Sequence, residues 1–221
     1  MARAEQQHMP GELSAARARM VDVQLARRQI HDVGVLRAMA SVPREIFVAP
    51  GFEEFAYEDS ALPIAEGQTI SQPYIVALML EEAGLNADTR LLEIGTGSGY
   101  AAAVASRIVK QVYTIERHAA LTDAAKERFA ALGYRNIELR TGDGTKGWPE
   151  AAPFDAILVA AGGPDVPRQL REQLAVGGKL IIPVGEAREQ SLRRITRRGT
   201  DAFDEDELGA VRFVPLIGEA G

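Results

Sequence analysis

From Thr89 onward the chain alternates short apolar runs with stretches of helical periodicity, and this order leaves few folds open. Strands joined by crossover helices pair in parallel, and a parallel sheet needs cover on both faces. Residues 90–94, 111–115, 136–140, 154–159 and 179–184 read as strands, with AAAVASRIV and residues 119–132 and 165–174 as the crossovers. Residues 191–196 and 210–217 have no helix between them and read as an antiparallel pair at the sheet edge. Their acidic connector, RGTDAFDEDELG, is expected to be mobile. The predicted fold class is α/β: a doubly wound, mostly parallel sheet with helices on both faces, an antiparallel edge pair at the C-terminal end and an N-terminal helical cap.

Residues 1–19 are polar, carry Pro10 and Gly11, and read as a flexible arm before a single domain over 20–221. Within that domain, 20–88 form the cap and lead-in segment and 89–221 the sheet. Between Met20 and Met39 the spacing of Val21, Leu25, Ile30, Val35 and Leu36 fits two short helices, interrupted near Gly34. Pro43 ends that pattern, and the stretch to Pro63 reads as irregular.

A chain of 221 residues, 46% hydrophobic, can bury one sizeable core. Its net charge of -6 argues against nucleic acid or an anionic membrane as partner. The absence of cysteine excludes disulfides, thiolate metal sites and a cysteine nucleophile, and three histidines without an HExxH spacing argue against a zinc hydrolase, so no metal is expected. The start, MARAEQQHMP, lacks an apolar signal core and no apolar run reaches the roughly 18 residues of a membrane span, which predicts a soluble cytoplasmic protein.

The candidate site begins at LLEIGTGSGY. In open α/β sheets ligands bind beyond the carboxyl ends of the strands where strand order reverses, and Gly95, Gly97 and Gly99 stand at such an end. A tight strand-to-helix turn without a ligand is the plainer alternative. A dinucleotide fingerprint wants a third glycine where this chain has Tyr100, and the pattern is instead ExGxGxG from Glu93. An acid there suits a ligand with a cationic amino group, such as S-adenosyl-L-methionine. Glu116, ending the second strand, could accept from both ribose hydroxyls or be a solvated strand-end acid. In TGDG, Asp143 could accept from an adenine amino group and Gly144 leave room for the ring, or the two could form a plain turn. Cofactor contacts are thus expected at Glu93, Ile94, Gly95, Thr96, Gly97, Ser98, Gly99, Glu116, Asp143 and Gly144.

The segments MVDVQLARRQIHDVGVLRAMASVPREIFV, AYEDSALPIAEGQTISQPYIVALMLE, LLEIGTGSGYAAAVAS, GDGTKGW, FDAILVAAGGPDVP, GGKLIIPVG and VRFVPL resemble the protein-L-isoaspartate O-methyltransferases, and GQTISQP is the most diagnostic of them. That resemblance implies a repair enzyme, a monomer, that methylates the free α-carboxylate of L-isoaspartyl residues in damaged proteins and peptides, with S-adenosyl-L-homocysteine as product. It places the active-site serine at Ser71, the segment ending at Gly67 against the cofactor, and Thr69 and Ile70 beside the substrate backbone. Read from the residues alone, Ser71 is also a good helix N-terminal residue. The family often has Arg-Gly-Ile where this chain has Arg28, Gln29 and Ile30. The rival readings are a methyltransferase of another substrate, a non-catalytic relative that keeps the fold, and a dehydrogenase, which Tyr100 argues against.

Overall fold

In the computed structural model, which describes residues 10–186 and 189–219, the N-terminal cap runs from α1 (Pro10–Arg19) through a π-helical stretch (Met20–Leu25) and a 3-10 turn (Ala26–Arg28) to α2 (Val33–Ser41). Residues 10–19 are therefore helical where a loose arm was expected, because Leu13 and Ala16 pack on the core; residues 1–9 lie outside the described residues. The helical break falls at residues 29–32 and not at Gly34, which sits in the first turn of α2. Asp32 caps that helix by accepting from the Val35 amide at 2.8 Å. The stretch to Pro63 is irregular apart from single 3-10 turns, as its prolines predict.

A short hairpin follows, β1 (Leu62–Pro63) against β2 (Thr69–Ile70), and then α3 (Pro73–Ala83). The main sheet comprises β3 (Arg90–Ile94), β4 (Gln111–Glu116), β5 (Ile137–Thr141), β6 (Phe154–Val159), β7 (Leu174–Glu186), β8 (Glu189–Arg197) and β9 (Phe203–Val211), in the order β5-β4-β3-β6-β7-β8-β9. The first five are parallel, and β8 and β9 are antiparallel to their neighbours. The period of two along each strand divides the core. Leu91, Ala156 and Ile181 face the cap, α3, α4 (Tyr100–Ala105) and α5 (Ala119–Ala131), whereas Leu92, Ile157 and Ile182 face α6 (Arg168–Glu172), Trp148 and Leu216. Helices thus lie on both faces, unequally, since α6 is much shorter than the 165–174 helix expected from sequence.

The C-terminal end departs from expectation. The acidic connector is mostly strand: β9 pairs with β8 so that Arg194 stands opposite Asp206, with their side chains 2.9 Å apart, and Arg193 and Arg198 pair with Glu205 and Asp204. Three of the carboxylates that made the stretch look mobile are thus matched by arginines on β8 or directly after it. Of the strand expected over 210–217, only Ala210 and Val211 belong to β9; the rest crosses the sheet end, where Pro215 bridges to Gly162.

Gln29 has a φ of 72°, a left-handed conformation that costs a β-carbon-bearing residue about 1 kcal/mol, and its exposed side chain makes no hydrogen bond among the described residues. Gln29→Gly, the residue frequent in the resembling family, is expected to stabilise the protein by about 0.5–1 kcal/mol. Urea unfolding checks this; an unchanged or lower midpoint would show that unfolded-chain entropy outweighs the relief.

Candidate functional site

Strand order reverses between β3 and β6, and the crevice beyond their carboxyl ends is the main cleft. Its floor is the glycine turn. The Gly95 amide donates to the Ile115 carbonyl at 2.8 Å, and the Gly99 amide to Thr96 at 2.8 Å, closing the turn before α4. Gly99 has a φ of 88°, and a Cβ there would lie 2.7 Å from the Phe129 ring, so the glycine is required by both backbone and neighbour.

Two acids pin this turn. Glu116 is buried and accepts from the Gly97 amide at 2.9 Å and the His118 amide at 3.0 Å, which leaves further lone pairs toward the cleft. Glu93 is 2% exposed and accepts from Thr114 Oγ1 at 2.6 Å, while Thr114 Oγ1 lies 2.6 Å from Thr96 Oγ1. Burial, with the nearby Glu116 charge, pushes the Glu93 carboxyl up to about 8 despite the hydrogen bond from Thr114. Among the described residues no cationic side chain pairs with it.

Of the residues singled out in the sequence, Glu93, Ile94, Gly95, Thr96, Gly97, Ser98, Glu116, Gly144, Thr69, Ile70 and Ser71 line the cleft together. Gly144 packs directly on Ile94, since a Cβ there would lie 2.3 Å from Ile94 Cγ2, so only glycine fits this place in the cleft lining. Gly67, Gly99 and Asp143 do not line it. Gly99 acts one layer below, as the turn's last residue. The Asp143 carboxylate accepts from the Thr145 amide and hydroxyl at 2.9 and 2.7 Å and from the Glu219 amide at 2.9 Å. Burial alone would raise this carboxyl, but the amide of Glu219, both Thr145 groups and the charge of Lys146 leave it below its ordinary range. Asp143 therefore anchors the C-terminal segment, whose Val214, Pro215, Leu216 and Ile217 form a wall of the cleft that the strand reading had hidden.

Ser71 lies one residue outside the N-cap position of α3, which is Gln72, and caps nothing. Pro73 at the first helical position explains the clean start. Ser71 instead stands in the wall between the main cleft and a second groove formed by Ala61, Gln72, Ile75 and residues 210–214; Thr69, Ala160 and Val214 share that wall. Its carbonyl accepts from Arg44 Nη2 at 2.8 Å, and its hydroxyl is committed to no other residue among those described. Arg44 and the wall residue Ala160 were not singled out in the sequence, although both fall within segments that carry the resemblance.

Glu93 makes a stability prediction. Its folded pKa of about 8 lies above its ordinary 4.5, so between these values the folded state holds a proton that the unfolded chain has released. Stability conferred below pH 4.5 is lost as pH rises through about 8. Thermal unfolding of the ligand-free protein from pH 5 to 8 is expected to show wild type losing ground against Glu93→Gln, which cannot ionise. Parallel curves would mean that Glu93 is ionised throughout.

The sequence model of the protein-L-isoaspartate(D-aspartate) O-methyltransferase family matches residues 15–221. A protein-L-isoaspartate O-methyltransferase of Brucella anthropi is 57% identical over 204 residues, 92% of this chain and 94% of its own length. Another, of Geotalea uraniireducens, is 57% identical over 215 residues, 97% of this chain and 98% of its own. Among solved structures, a protein-L-isoaspartate O-methyltransferase superposes with a TM-score of 0.85 at 31% identity, over 93% of this chain and 67% of that one. A putative one from Plasmodium falciparum, in complex with S-adenosyl-L-homocysteine, gives 0.79 at 28% identity, over 91% and 98%. With the family's match running from the cap to the end of the chain, the protein belongs to the protein-L-isoaspartate(D-aspartate) O-methyltransferase family.

Proposed function

We propose that the chain transfers the methyl group of S-adenosyl-L-methionine to the free α-carboxylate of L-isoaspartyl residues in damaged proteins and peptides, leaving S-adenosyl-L-homocysteine. The observation that carries this reading is the shared wall: one serine, its hydroxyl committed to no other described residue, stands between the cleft beside the glycine turn and a second groove. In this reading the chain works as a monomer in the cytoplasm, on proteins and peptides and not on nucleic acids or membranes; a net charge of -6 disfavours polyanionic partners.

The cleft fits the donor. Glu93 is a buried acid without a cationic partner among the described residues, Glu116 retains acceptor capacity at a strand end, and Gly144 lines the same cleft without a side chain. In the proposed assignment Glu93 receives the α-amino group, Glu116 the ribose hydroxyls, and Gly144 with the 214–217 wall encloses the adenine, while Gly67 belongs to the strap over the cofactor. Thr145 and the Glu219 amide already hold the two oxygens of Asp143, which does not line the cleft, so in this assignment Asp143 serves the adenine through the 214–217 wall that it anchors. When bound, the sulfonium supplies an electrophilic methyl carbon and a neutral thioether leaving group.

The acceptor carboxylate, with an ordinary pKa near 4, is ionised at neutral pH and needs no general base. What the protein supplies is alignment, worth about 7–11 kcal/mol when reacting atoms are held in line at near-attack distance. The Ser71 hydroxyl donates to one carboxylate oxygen and orients the other, and Thr69 and Ile70 frame the substrate backbone. No histidine stands within reach of Ser71 in the chain segment around it, so Ser71 acts as donor and not as covalent nucleophile.

Labelled S-adenosyl-L-methionine is expected to give base-labile methylation of an isoaspartyl peptide and little of its normal aspartyl twin; equal labelling of both, or none, would sink the reading. Ser71→Ala should lower kcat by about 10- to 100-fold, the worth of one hydrogen bond to a charged group, with S-adenosyl-L-homocysteine affinity nearly kept. Calorimetry showing an equal loss of affinity would move Ser71 from the acceptor side to the cofactor side.

A further inference from the structure

The largest fully buried side chain is a cation. Arg44, in the 3-10 turn Arg44–Ile46 after Pro43, has 0% of its surface exposed, and no carboxylate among the described residues lies in ion-pair range. Its Nε donates to the Ala56 carbonyl at 2.7 Å and its Nη2 to the Ser71 carbonyl at 2.8 Å. The guanidinium carbon lies 4.8 Å from the centre of the Tyr100 ring, and Nη1 is buried without a hydrogen-bond partner. Burial presses the guanidinium pKa down, the mark of a desolvated charge. An apolar side chain of similar volume would serve packing better than an unpaired buried charge. The reason for keeping the cation must lie in what its rigid fork holds.

It holds both halves of the site. Ala56 and Ser71 belong to irregular segments whose carbonyls have no partner in a helix or strand, so their placement depends on donors brought from elsewhere. Tyr100 is the first residue of α4, directly after the glycine turn. We infer that Arg44 is a positioning residue for methyl transfer: by gripping the Ser71 carbonyl while stacked on Tyr100, it fixes the spacing between the acceptor-side serine and the donor-side turn. Arg44 touches neither the main cleft nor the groove, so it acts through Ser71 and not on a reactant. The inference rests on the proposed repair reaction.

The test compares wild type with Arg44→Lys, which keeps the charge but loses the fork, and Arg44→Met, which keeps the volume and loses both. Three quantities are measured: kcat and KM with an isoaspartyl peptide, Kd for S-adenosyl-L-homocysteine, and thermal unfolding. A misplacement near 1 Å costs about 100-fold in rate, so kcat is expected to fall about 10-fold in the lysine variant and about 100-fold in the methionine variant. KM and Kd should stay within about 3-fold. A methionine variant with nearly wild-type kcat overturns the inference, as does cofactor affinity that falls in step with kcat, or failure of both variants to fold. Wild type that methylates no isoaspartyl peptide sinks the repair reading and this inference together; active wild type with unaffected Arg44 variants sinks only this one.

Discussion

The cleft depends on how one buried carboxylate is held. Glu93 is the last residue but one of β3, beneath the glycine turn, where a charge has no water to solvate it. The parallel register sets Glu93 opposite Thr114 of β4, and Thr114 reaches both Glu93 and Thr96 of the turn. A single chain of hydrogen bonds therefore spans two strands and the loop that follows them. Two residues along β4, Glu116 takes the amide of Gly97 from the other side. The turn is pinned by acids from adjacent strands, and both stay within reach of a cationic or hydroxylated ligand.

Local signals carried the parts of this arrangement that are local. The strand runs, the glycines that need positive φ, and the acids at strand ends can be read from a few consecutive residues, because period and turn chemistry act over that range. What escaped the sequence depends on partners far along the chain. The acidic stretch 204–207 looks disordered until the arginines of β8 stand beside it. The path of 212–217 into the cleft is set by the Gly162–Pro215 bridge, and the engagement of Asp143 by Glu219, a residue 76 positions away. Arg44 looks like one more surface arginine, and only tertiary structure reveals that it lies in the core.

The two spaces that meet at Ser71 differ in electrostatic character. The main cleft presents the buried Glu93 and Glu116 together with Arg117, whereas Arg212 is the one charged side chain on the groove, and it has no ion-pair partner among the described residues.

Of the two edges of the sheet, β5 and β9, the second has a bearing on the company such an enzyme keeps. Damaged proteins are often partly unfolded, and their exposed strands seek unpaired backbone. β9 offers an edge of that kind, yet it carries four consecutive carboxylates, Asp204 to Glu207, and its pairing with β8 is broken by an irregularity between Leu192 and Arg193. Charge and twist of this sort make a strand a poor template for another chain. The β9 edge therefore offers little to an unpaired strand of another protein.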